Sequence, residues 1–127
     1  MVTYEDLEYR SDHRYYHQGA PFTGIASDSN VDGSYEQPYV DGVSDGIAKS
    51  WYPNGKLREV CHSKRGAFHG AVEEYDESGR LLKRARYELG VKIEEETYGP
   101  DGGVIDYYIL TEKDPNWTVL LSMRNLL

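Results

Sequence analysis

Glycine recurs in this chain with a period, and the period limits what the chain can become. Gly19, Gly42, Gly66 and Gly90 are spaced by 23, 24 and 24 residues, and a second glycine follows each of the first three: Gly24, Gly46 and Gly70. A turn dipeptide closes each unit, at Asn54-Gly55, Ser78-Gly79 and Asp101-Gly102, with Asp32-Gly33 as a looser first copy. Leu57, Leu81 and Val104 follow three of those turns, and Trp51, Tyr75 and Tyr98 precede them. Tyr16, Tyr39 and Tyr87 stand before three of the framing glycines. Units this short cannot bury a face alone, so they stack and rely on neighbours.

Each unit reads as a β-hairpin. Asn-Gly and Asp-Gly favour tight turns in which both central residues accept positive φ. The flanking runs, such as Ile47 to Tyr52 and Leu57 to His62, suit strands and are too short for lone helices. Further along, Leu81, Lys83, Ala85 and Tyr87 alternate with Leu82, Arg84 and Arg86, which is the period of two of a sheet with one packed face and one wet face. The expected fold is all-β: a single domain over 1–127, with about four antiparallel hairpin repeats over 16–110 forming an elongated, twisted meander.

An open meander has two ends, and the termini are the candidates for covering them. Residues 1–15 are expected to form an N-terminal cap, in which Thr3-Tyr4-Glu5-Asp6 reads equally as a capping box or as an irregular strand. Residues 111–127 are expected to form a short C-terminal capping helix. Asp114 would be its N-cap and Pro115 would lie in its first turn. Trp117, Leu120, Leu121 and Arg124 follow at helical spacing, and Leu126 and Leu127 close the chain. Such a helix would cover the last strand and blunt its open edge.

Composition narrows the function. Twelve tyrosines beside two phenylalanines suit a thin sheet with half-wet faces, because a tyrosine ring is apolar and its tip is polar. The net charge of −8 argues against nucleic acid, which requires clustered cations. Residues 1–46 hold nine acids and two bases, 47–93 six acids and ten bases, and 94–127 seven acids and two bases. The acidic ends would draw in a basic protein partner. A single cysteine, Cys61, rules out an internal disulfide and suits a reducing compartment. The start of the chain has no basic and apolar leader pattern, so a cytoplasmic location is expected.

The segment Gly42-Val-Ser-Asp-Gly46, followed by Trp51-Tyr-Pro-Asn-Gly-Lys-Leu57, resembles the MORN-variant repeat of the YwqK-type antitoxin family. The resemblance covers about residues 16–110. Thr3-Tyr-Glu-Asp-Leu-Glu-Tyr9, Pro21-Phe-Thr-Gly24 and Asp114-Pro-Asn-Trp117 are similar to family segments at the ends. The first copy, around Asp28 to Gln37, departs from the pattern, and the second framing glycine is missing near Glu94. The resemblance implies a hairpin array that acts as antitoxin or immunity partner of a protein toxin. The alternative is a structural or scaffold MORN-type protein that contacts proteins or membrane surfaces. Lys83, Arg84 and Arg86 leave an opening for anionic lipid.

No catalytic residues, metal ligands or cofactor are expected. His13 and His17 are four apart in a presumed strand, too far apart along it to share a metal. Cys61 and His62 would point to opposite faces. The acid runs Glu73-Glu74 and Glu94-Glu95-Glu96 suggest no apolar pocket of the kind that raises a catalytic carboxyl pKa. The candidate partner-binding residues are therefore aromatics with nearby acids on an open sheet: Trp51, Tyr52, Glu73, Tyr75, Asp76, Glu95, Glu96, Tyr98, Asp106, Tyr107 and Tyr108. Aromatics of this type anchor interfaces.

Overall fold

The computed structural model describes residues 1–125, so Leu126 and Leu127, read above as closing the helix, lie outside the described residues. A 3-10 turn (Tyr4–Asp6) leads into three short strands, β1 (Glu8–Tyr9), β2 (Tyr15–His17) and β3 (Ala20–Pro21), which form a small sheet of their own. The main sheet follows, from β4 (Gly24–Asn30), β5 (Gly33–Val40), β6 (Val43–Ser44), β7 (Gly46–Trp51) and β8 (Leu57–Lys64) to β9 (Ala67–Tyr75), β10 (Leu81–Glu88), β11 (Val91–Tyr98) and β12 (Val104–Ile109). Helix α1 (Pro115–Arg124) closes the described chain. The main sheet is an antiparallel meander in the order β12-β11-β10-β9-β8-β7-β5-β4, with β6 paired to β5. The all-β hairpin array expected from the period is present. Its first copy, irregular in sequence, is a regular hairpin of β4 and β5 paired from Gly24–Tyr39 to Asn30–Gly33.

The glycines divide their labour differently from the expectation. The tight two-residue turns lie at the framing glycines, not at Asn-Gly. At Gln18-Gly19, Asp41-Gly42, Arg65-Gly66 and Leu89-Gly90 both central residues have positive φ, near +50° and +85°, as the mirror-image hairpin turn requires. At Asn54-Gly55 only the glycine is positive. The Gly55 N–H donates to the Tyr52 carbonyl at 2.9 Å and the Tyr52 N–H to the Lys56 carbonyl at 2.8 Å, a longer loop that ends on a left-handed glycine. Just beyond each long loop the register slips by one, leaving Arg58, Leu82 and Ile105 as extra residues in their strands. These repeated bulges twist the sheet. The Leu82 bulge also pairs Leu81 with Tyr75, which moves Leu81 off the face shared by Lys83, Ala85 and Tyr87.

Little of the sheet is covered. One buried cluster, Phe22, Ala26 and Tyr39, lies at the β4–β5 end with Val2, Tyr4, Leu7 and Tyr15 around it. Another, Val91, Leu110 and Leu120, lies at the other end. Between them the buried apolar side chains among the described residues are Val60, Cys61 and Ala85, and no described charged or polar residue is buried.

The two caps behave differently. Val2 makes a parallel bridge to Ala26, and the Thr3 N–H donates to the Asp6 carboxylate at 2.9 Å. The N-terminal segment thus combines an extended stretch with a capped turn. Helix α1 starts as expected, with the Asp114 carboxylate accepting from the Asn116 N–H at 2.9 Å and Pro115 in the first turn. It covers one face of the last strand, where Tyr108 packs against the Leu120 cluster, but pairs with neither edge of it. Leu120 packs on Val91 and Leu110, Arg124 pairs with Glu88, and Leu121 stays exposed. The helix therefore closes the β10–β11 hairpin end, whereas Val104, Ile105, Tyr107 and Ile109 of β12 remain 52–70 % exposed.

Candidate functional site

Cross-strand partners in an antiparallel sheet share a face, so the registers sort the candidates. The back face carries a row that crosses eight strands: Ser27, Glu36, Lys49, Val60, Glu73, Arg84, Glu96 and Tyr107. The front face carries Ala48, Cys61, Val72, Ala85, Glu95 and Tyr108. Six candidates fall together on the back. Glu73, Glu96 and Tyr107 belong to the row itself. Trp51, Tyr75 and Tyr98 sit two residues beyond Lys49, Glu73 and Glu96 on the same strands and the same face.

Within this group the side chains are tied into a network. The Arg84 guanidinium donates to the Glu73 carboxylate at 2.9 and 3.2 Å, which raises the arginine pKa further. The Tyr98 hydroxyl donates to Glu96 at 2.7 Å, and that bond raises its pKa. Partial burial and then the Glu73 charge raise the Tyr75 hydroxyl pKa as well. Arg86 pairs with Glu94 at 3.1 Å. Ala71, Arg84, Arg86, Glu94 and Glu96 line a shallow depression of about 270 Å³ between these pairs. Lys49 and Glu36 extend the row but were not among the candidates. The same alternation that marked Arg84 and Arg86 could have found them, once the registers linking the strands were known.

The remaining five candidates lie elsewhere. Tyr52 donates its hydroxyl to the Tyr75 carbonyl at 2.6 Å, beneath the Arg58 guanidinium, so it ties one repeat to the next. Asp76 accepts from the Ser78 hydroxyl at 2.7 Å and from the Ser78 and Arg80 N–H groups at 2.9 Å. Those bonds, led by the Ser78 hydroxyl, pull its pKa down to about 2, and its role is to hold the long turn. On the front face Glu95 meets Lys92 at 2.8 Å and Lys83 at 3.9 Å. Tyr108 donates to Asp114 at 2.8 Å. Asp106 shares this face and accepts from the neighbouring Tyr107 N–H at 2.9 Å.

The groups considered for chemistry do not converge. His13 has φ 64° and bonds the Tyr9 hydroxyl at 3.0 Å, while His17 meets Phe22 edge-on. Cys61 faces Ala48 and Val72, whereas His62 pairs with Ile47 on the opposite side. Burial, helped by Glu59, pushes the Cys61 thiol pKa up to about 12, so it stays protonated and unreactive. Among the described residues no group of three or more His, Cys, Asp or Glu is placed to hold a metal. No described helix is long and apolar enough to cross a membrane.

Residues 44–65 and 68–89 match the family model of the MORN repeat variant. The two matches are adjacent and coincide with the β7–β8 and β9–β10 hairpins. No curated protein and no solved structure matches the chain. These two adjacent segments are therefore similar to the MORN repeat variant.

Proposed function

We propose that this protein is an antitoxin or immunity protein that neutralises a basic toxin domain in the cytoplasm by forming a stoichiometric complex. The observation that carries the reading is the uncovered back face, where Glu73, Glu96 and the flanking tyrosines form one continuous polar-aromatic surface. Aromatic anchors with desolvated charge pairs are the usual energetic centre of an interface. The net charge of −8 would speed encounter with a cationic domain, more so at low salt. Trp51, Tyr75, Tyr98 and Tyr107 are assigned as anchors, with Glu96 meeting the partner's cations and Glu73 orienting Arg84 beside it. Tyr52 and Asp76 contribute by holding the repeats and turns in shape. Glu95, Asp106 and Tyr108 belong to a second contact area on the front face.

Scaffolding at a membrane is the weaker reading. Arg84 and Arg86 are spent on Glu73 and Glu94, and Lys83 and Lys92 both point to Glu95, so the basic cluster of β10 is already neutralised within the sheet and offers little to anionic lipid.

The test is co-expression with the C-terminal domain of a large secreted toxin encoded beside this gene. Growth should be rescued, and the two proteins should co-purify at one to one. Tyr98→Ala with Glu96→Lys should abolish rescue while far-UV circular dichroism is unchanged. Growth arrest regardless of this protein would refute the immunity role, and flotation with anionic vesicles would favour the scaffold.

A further inference from the structure

The outer edge of β12 is built to accept another strand, and its groups are complementary to themselves. The Leu110 N–H points inward, donating to the Ile93 carbonyl at 2.8 Å. By alternation, Tyr107 and Ile109 direct their N–H and C=O groups outward. Among the described residues, the Tyr107 N–H bonds to the adjacent Asp106 carboxylate. Tyr107 and Ile109 are 70 % and 58 % exposed, and Asp106 is the one charge between Val104 and Ile109. Helix α1 runs from Asp114, beside Tyr108, toward Glu88 at the end of β10, and among the described residues no strand pairs with this edge. Long apolar edges of this kind are ordinarily blunted by charge, proline or a covering segment.

We propose that β12 pairs antiparallel with β12 of a second copy of this chain, centred on Tyr108. The two-fold arrangement sets Tyr107 opposite the second copy's Ile109, and the reverse, giving four reciprocal main-chain hydrogen bonds. Tyr107 and Ile109 then meet on the back face, and the two Tyr108 rings lie side by side on the front. Registers nearer the start of β12 are disfavoured for two reasons. The bulge at Ile105 disrupts the strand there, and centring on Asp106 would set two carboxylates face to face. Asp106, holding the Tyr107 N–H, restrains the edge until a matching strand displaces it. Specific interfaces begin at about 1,000 Å², and a seam of four main-chain hydrogen bonds lies at that low end, so the dimer is weak. Each copy carries −8, so added salt should tighten the pair, opposite to its effect on a basic partner.

Sedimentation velocity over a concentration series tests this. The wild-type chain should pass from monomer to dimer as concentration rises, and Tyr107→Lys should weaken the dimer at least about tenfold. Tyr107→Lys combined with Ile109→Glu should recover it, because the new charges face each other across the seam in this register and no other. Should Tyr107→Lys lose its β circular dichroism, Ile109→Lys replaces it. A wild-type chain that stays monomeric up to about 1 mM overturns the proposal and leaves the edge to a strand of another protein. A dimer indifferent to Tyr107→Lys also overturns it, as does failure of the double variant to recover.

Discussion

The two edges of the main sheet end in opposite ways. At β4 the first residues of the chain lie along the strand. Val2 bridges Ala26, the Ser27 N–H donates to the Val2 carbonyl at 2.9 Å, and Ala26 is wholly buried. At β12 no strand of the described residues lies alongside, and four large apolar side chains face solvent. Both ends have a buried cluster of similar size, so core formation does not account for the difference. The difference lies in what the terminal segment covers. The N-terminal segment lies beside its edge strand, whereas α1 packs against the hairpin end. A repeat array needs a polar or covered terminus to stay soluble alone, and only one end of this sheet has it.

Four measurements bear on why the two edges end differently. The largest effect is expected at the covered end from Gly33→Ala. An added Cβ there would overlap the Trp51 carbonyl oxygen, and φ is +132°, so both backbones must move. Thermal unfolding should show a loss of about 4 kcal/mol. Next is Leu120→Ala in the cluster behind β12. Leu120 is 2 % exposed, and truncation should cost about 3 kcal/mol. If it costs under about 1 kcal/mol, the helix is an ornament and the C-terminal end is bare altogether. Deleting residues 1–3 should bare the β4 edge, cost about 1.5 kcal/mol and speed amide exchange at Ser27. Equal solubility before and after the deletion would refute the idea that this segment protects the edge. The smallest effect is at a turn in the uncovered middle: Arg65→Asn relieves a positive φ of 50° and should stabilise by about 0.5 kcal/mol.

The uncovered middle also predicts a pH dependence. Asp76 has a folded pKa lowered from 3.8 to about 2 by the turn it organises. A depressed carboxyl contributes its full stabilisation above the unfolded value and loses it as pH falls through the folded one. The contribution should therefore fade between about pH 4 and pH 2, and Asp76→Asn should flatten that limb of the stability curve. An unchanged acid limb in the variant would show that other carboxylates govern it.

Much of the architecture was legible because it is local. The glycine period announced the hairpins, and the short alternating runs announced strands. Asp114-Pro115 announced the helix start, since a cap and a pre-set φ act within a few residues. The candidate surface was only partly legible. Tyr52 and Tyr75 both stand beside a turn, yet one spans to the next repeat and the other joins the back face. Asp76 and Glu73 look alike as acids, but the first is absorbed by its own turn. Leu81 left its expected face because Leu82 bulges.

By itself the sequence determined the unit: its length, its β character, its turn positions and the cap of the last helix. Each of these follows from φ preferences and side-chain alternation over a few neighbouring residues. Tertiary structure alone decided which glycines make the tightest turns, which eight side chains line up across eight strands, and which edge stays open. Those outcomes depend on register, and register is set jointly by bulges, loop lengths and distant partners, none of which a single strand carries in its own letters.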